Sequence, residues 1–153
     1  MAPFLLLLVL LAETASAFDL IVVTVHPGDD VTLPCQAPDS SIRAVEWSRP
    51  DLKHEYVLLY RDGHLDPHHQ HPSFRDRVDL VDRDLKDGDV SLTLKNVNIT
   101  DTGTYECRVA SGGSRRKKRT FIISEPIRII HLQVTEPGEV VCLWVFFYRL
   151  QVR

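Results

Sequence analysis

The chain has 153 residues, 44% of them hydrophobic and 25% charged, a balance that excludes collagen-like, disordered and multi-span membrane classes and allows one domain. A formal net charge of -3 offers no basic surplus for a nucleic acid or a membrane surface. Three cysteines are too few for a disulfide-dense scaffold or a four-ligand zinc module, so either one pair bridges and one thiol is left over, or none pair.

Phe4 to Ala12 is a run of nine apolar residues, long enough for a signal h-region and too short for a membrane span. Ala15-Ser16-Ala17 follows as a small-x-small cleavage site, so residues 1–17 read as a secretory leader cut after Ala17. Secretion makes a disulfide permissible.

Beyond the leader, period-two alternation dominates. Leu20 to Val25 is β-branched and apolar, His26 to Asp30 is a turn, and Val31, Leu33 and Cys35 then share one face. Val45 and Trp47 alternate up to Pro50, and Tyr56 to Arg61 forms another strand closed by Asp62-Gly63, a two-residue hairpin signal. A polar stretch runs from His64 to Ser73. Val78 and Leu80, Leu92 and Leu94, then Tyr105, Cys107 and Val109, and finally Ile130, Leu132 and Val134 each step by two. Eight or nine short strands in roughly 118 residues predict an all-β, two-sheet antiparallel sandwich.

Cys35, Trp47 and Cys107 are spaced by 12 and 60 residues, and Asp101-Thr102-Gly103-Thr104-Tyr105-Glu106-Cys107 sets a tyrosine two residues before the last of them. Over residues 18–135 this constellation resembles an immunoglobulin variable-type (V-set) domain. The resemblance implies a Cys35–Cys107 bridge between the sheets with the Trp47 indole beside it, and a Tyr105 hydroxyl tied to backbone. It also implies a structural ion pair between Arg77 and Asp101. The 72-residue separation of the cysteines leaves room for the extra edge hairpin of the variable type. Phe74 to Leu80 and Asp87 to Val97 further resemble the butyrophilin and myelin-oligodendrocyte-glycoprotein group of T-cell-regulating ligands. Thr120 to Val134 lacks the Phe-Gly-x-Gly last strand of antigen-receptor chains.

Asn98-Ile99-Thr100 is an N-glycosylation sequon in a turn, and a chain delivered to the secretory pathway is expected to carry a glycan there rather than leave it an unused turn asparagine. Arg115, Arg116, Lys117, Lys118 and Arg119 crowd five positive charges before the last strand, whereas Asp62 to Asp89 holds eight aspartates against four basic residues. The basic run reads as a solvated hairpin tip, as an electrostatic contact for an acidic partner, or as a processing site. His64, His68, His69 and His71 invite a zinc reading, but loose spacing without a nearby cysteine favours a polar edge loop, and no metal or cofactor is expected. No Gly-x-Ser-x-Gly, His-Glu-x-x-His or phosphate-cradling glycine loop occurs, so no enzyme and no small-molecule substrate is expected.

Residues 136–153 read as a short stalk and a truncated apolar tail. Val140 to Tyr148 is nine apolar residues, too few to cross ~30 Å of hydrocarbon, and charge follows at once. As written the chain is expected to be released, and a longer spanning form would display it on the external side of the plasma membrane. Cys142 is a free thiol or the link to a disulfide-bonded partner.

With Trp47, Cys107, Leu132 and Val134 inward, alternation turns Glu46, Ser48, Glu106, Arg108, His131 and Gln133 outward as a candidate binding face flanked by the basic run. The resemblance implies an immune recognition module that modulates T-cell receptor signalling and cytokine production through a receptor on an immune cell. The alternative is homophilic adhesion, in which the same face binds its own copy.

Overall fold

The computed structural model of the chain describes residues 20–38, 41–111 and 125–137. Nine strands follow in order: β1 (Leu20–Val25), β2 (Val31–Leu33), β3 (Ile42–Ser48), β4 (Leu58–Arg61), β5 (His64–Leu65), β6 (Val78–Leu80), β7 (Leu92–Leu94), β8 (Gly103–Ser111) and β9 (Arg128–Val134). They form a six-stranded sheet in the order β1-β9-β8-β3-β4-β5 and a three-stranded sheet in the order β2-β7-β6. This is the all-β variable-type immunoglobulin sandwich, and Cys35 and Cys107 are bridged between its layers.

Burial follows the period-two pattern. Leu33, Val45, Trp47, Leu92, Leu94, Tyr105, Cys107, Ile130 and Leu132 are fully enclosed between the sheets. The indole also needs a partner for its N–H, and Trp47 Nε1 donates to the Val90 carbonyl 2.9 Å away on the facing layer.

Two local readings shift. The first strand does not stay beside the second: β1 runs parallel to β9 in the large sheet, the one parallel ladder among the described residues, before the chain crosses to β2 in the small one. The Pro27-Gly28 turn makes that crossing, with Gly28 at φ 91 and its N–H bonded to the Val97 carbonyl. The strand expected from Tyr56 begins at Leu58, because Tyr56 instead bonds through backbone to His69 and His71, which fold back beside it. The Asp62-Gly63 hairpin forms as read. Both residues hold positive φ, 54 and 82, the mirror-image turn whose twist matches its strands.

Below β8 the chain is tied by Asp101, a nearly enclosed carboxylate. It accepts from the Arg77 guanidinium and, at 2.8 Å, from the Asn98 backbone N–H, while its carbonyl receives the Tyr105 hydroxyl at 2.5 Å. Arg77 also donates to the carbonyls of Ser73, Lys95 and Asn96, so one cation gathers three chain segments.

Arg49, just past β3, had no sequence signal. Its guanidinium lies 5.5 Å over the Tyr105 ring and donates to both Asp51 oxygens, at 3.0 and 2.5 Å. Gly103 makes room for it: a Cβ there would stand 3.1 Å from Arg49 Nε. Gly103→Ala should therefore shift the guanidinium by a few tenths of an ångström and, because both Asp51 oxygens hold it in place, lower stability by up to about 1 kcal/mol in denaturant unfolding. An unchanged midpoint would show that the contact is loose.

Candidate binding face

The outer face of the large sheet is set by what its strands commit inward. Cross-strand register lines up Leu20, Ile129, Glu106 and Ser48 in one row across β1, β9, β8 and β3. Val22, His131 and Thr104 form the next row on one side, and Arg108, Glu46 and Leu59 the next on the other. Of the residues expected to face outward, Ser48, Glu106, Arg108 and His131 are half-buried and Gln133 is exposed, paired with Thr24 on β1. Glu46 differs: it points away from the core yet keeps only 8% of its surface, beside the buried Leu59 and the loop that leads to Tyr56.

These side chains form a charged knot. The Arg108 guanidinium lies 2.8 Å from Glu106 and 3.1 Å from Ser48 Oγ, but 3.9 Å from Glu46. Two carboxylates thus share one cation, and the nearer takes it. Burial pushes the Glu46 carboxyl above its ordinary value; Arg108 pulls the other way and Glu106 adds to the rise. Asp66, in the loop after β5, goes the opposite way. Burial opposes its ionisation, but the His68 backbone N–H, His69 and Arg61 hold it below the usual carboxylate range.

An apolar corner adjoins the knot and was not legible from alternation, because β1 is apolar on both faces. Leu20 and Val22 are 57% and 56% exposed there, next to Ile129. The face therefore carries a charged centre on β3 and β8 and an apolar corner of Leu20, Val22 and Ile129, with His131, Thr24 and Gln133 continuing β1 and β9 as polar positions.

The remaining expected residues lie elsewhere. Cys35, Cys107, Trp47 and Tyr105 are core, and Arg77 and Asp101 form the tie described above. Asn98 caps the 3-10 turn Ile99–Asp101, its side-chain oxygen accepting the Ile99 N–H at 2.8 Å. His71 caps the turn Pro72–Phe74, His69 leans on Asp66 and His64 on the Asp62 carbonyl; among the described residues no group of three or more His, Cys, Asp or Glu is placed to hold a metal ion. The leader, the basic run Arg115 to Arg119 and Cys142 lie outside the described residues. Among the described residues no helix is long and apolar enough to cross a membrane.

The immunoglobulin V-set domain model matches residues 21–124, and the chain belongs to that family. Mouse programmed cell death 1 ligand 1 is 31% identical over 128 residues, covering 77% of this chain and 43% of the relative. Human butyrophilin subfamily 1 member A1 is 34% identical over 124 residues, covering 76% and 23%. Human myelin-oligodendrocyte glycoprotein is 34% identical over 116 residues, covering 70% and 47%. The chain thus resembles the butyrophilin and myelin-oligodendrocyte-glycoprotein group, and spans less than half the length of each of these relatives.

Because the folded Glu46 carboxyl holds its proton more tightly than the unfolded one, the stability it contributes is full below its ordinary value of 4.5 and is lost as pH rises through the raised folded value. Glu46→Gln carries no charge to desolvate. It should raise Tm at neutral pH and leave Tm unchanged in acid well below the ordinary carboxylate range, measured by thermal melts across that interval. A lowered Tm at neutral pH would mean that attraction to Arg108 outweighs burial.

Proposed function

We propose that this chain is a non-enzymatic immune recognition module that modulates T-cell receptor signalling and cytokine production by binding a protein receptor on an immune cell. The contact surface is the outer face of the six-stranded sheet, and the chain acts outside the cell, behind a leader cut after Ala17. The observation that carries this reading is the charged knot of Arg108, Glu106, Glu46 and Ser48 at the middle of the large sheet's outer face, one strand away from exposed Leu20 and Val22. A partly desolvated charged centre with an apolar neighbour suits reversible docking: charges steer and orient the encounter, and apolar area supplies attraction. That one similar protein is named a ligand agrees with the reading. The basic run Arg115 to Arg119 adds attraction toward an acidic partner, screened as salt shortens the Debye length from ~10 Å at 0.1 M to ~3 Å at 1 M.

Multimerised chain should stain a subset of leukocytes, and Glu106→Arg, which sets a second guanidinium against Arg108 and reverses the charge of the knot, should weaken that staining roughly tenfold or more with the core intact. If Glu106→Arg leaves staining unchanged while Thr32→Arg or Thr93→Arg on the small sheet removes it, the contact surface is the other one.

Homophilic adhesion is the second reading, favoured by the exposed apolar strip at the edge of the sheet, since an uncovered β-branched edge strand readily pairs with another copy. Concentration-dependent dimerisation abolished by Val22→Lys would select it.

We also propose that Asn98 is glycosylated. Its carbonyl oxygen keeps the cap on Ile99 while the amide nitrogen, where the sugar attaches, belongs to an exposed residue. Chain secreted from mammalian cells should lose mass on treatment with an amidase that removes N-glycans, and Asn98→Gln should show no such loss. Equal mass before and after treatment of the unmodified sequence would exclude a glycan.

A further inference from the structure

At one end of the outer face, the loop from Arg49 to Tyr56 rises beside the end of β3 and walls off a hollow of about 270 Å³. Glu46 and Ser48 from β3 line it together with loop residues that include Lys53, His54, Glu55 and Tyr56. Arg49 also borders it but is consumed, held by both oxygens of Asp51 and by the Thr100 carbonyl.

Glu46 is the unusual member. It is more than nine-tenths buried, it lines the hollow, and its nearest cation among the described residues stands at 3.9 Å, beyond hydrogen-bond reach. That cation, Arg108, is committed to Glu106 and Ser48. Folding has therefore desolvated the Glu46 carboxylate without giving it a close counter-charge. The usual objection to an interfacial ion pair is the cost of drying both ions, and here part of the carboxylate's share is already met in the free domain.

We propose that this hollow receives a lysine or arginine side chain of a protein partner, with the Glu46 carboxylate as its acceptor. The proposal deepens the reading of the outer face as a binding surface, and rests on it for the partner being a protein. Tyr56, whose hydroxyl burial keeps neutral to higher pH than usual, contributes an aromatic wall without adding charge. Lys53, exposed in the same lining, sets a like charge within the hollow, which favours a long, slender side chain over a bulky ion. Arg108 then acts as a brake: it offsets part of the negative potential of Glu46 and Glu106 and keeps the empty site from taking any passing cation.

The test uses the whole chain and small probes in place of the unidentified partner. Butylguanidinium and butylammonium, added separately, should shift the side-chain carboxyl signal of Glu46 and the ring signals of Tyr56 saturably in NMR, whereas tetrabutylammonium and butanol should not. The stronger of the two cations identifies the residue type favoured in the partner. Glu46→Gln should weaken the response roughly tenfold or abolish it. Arg108→Gln should strengthen it, and Arg83→Gln, the same charge change in an ion pair with Asp79 at the edge of the small sheet, should leave it as it was. The opposite directions of these variants separate a site from general attraction and from misfolding. A response that never saturates, that survives in Glu46→Gln, or that is equal for Arg108→Gln and Arg83→Gln overturns the proposal. If the probes bind as described while the multimerised chain stains no cells, the cation site stands and the receptor reading falls; staining without probe binding removes only the site.

Discussion

The structure depends on one junction across the sandwich, where the Cys35–Cys107 bridge and the Trp47 indole join the two layers. Trp47 and Cys107 are register partners on neighbouring strands, so the bridge and the largest core side chain occupy the same level of the core. A bridge closing a loop of 72 residues removes much of the unfolded chain's freedom, on the order of 4 kcal/mol in the chain-entropy account, although that account is model-dependent. The consequence for binding is geometric. Once Trp47 and Cys107 are fixed inward, Glu46, Ser48, Glu106 and Arg108 are fixed outward and opposite one another, and their knot needs no separate device to hold it.

The lower end of the domain is organised by charge in place of hydrophobic contact. Asp101 is buried, which is tolerable because every direction it faces offers a donor: the Arg77 guanidinium and the Asn98 backbone N–H, with the Tyr105 hydroxyl on its carbonyl. Arg49 completes the arrangement from the other side of the Tyr105 ring, where Gly103 leaves space for it. Tyr105 is thereby held between the Arg49 guanidinium and the core, edge-on to Phe74, and its hydroxyl is kept protonated by burial. The same loop that begins at Arg49 goes on to wall the hollow over Glu46, so the tie that stabilises the fold also shapes the candidate site.

Two buried acids show how differently this fold treats a carboxylate. Asp101 is surrounded by donors and has a structural task. Glu46 is less deeply hidden, and it sits beside a buried leucine, a tyrosine and a guanidinium already taken by Glu106, so its ionised form is disfavoured. An unmet requirement of that kind costs stability in the free domain, and such costs collect where a surface is shaped to meet something else.

The sequence by itself determined the architecture, because alternation and three spaced residues carry enough information. Each step-by-two run had one acceptable burial face, Asp62-Gly63 had one favoured turn, and the resemblance carried by Cys35, Trp47, Tyr105 and Cys107 implied the core they share. The outward direction of Glu106, Arg108 and His131 followed from the same parity. Tertiary structure alone decided the rest. The parallel seat of β1 could not be read, since Leu20 to Val25 is apolar on both faces and parity does not name a neighbouring strand. Arg49 gave no sign because its partner ring lies 56 positions away. Parity made Glu46 a surface residue like Arg108; it became a hidden one because Leu59 on the neighbouring strand and the loop from Arg49 to Tyr56 close over it, and strand alternation does not encode how a following loop folds back.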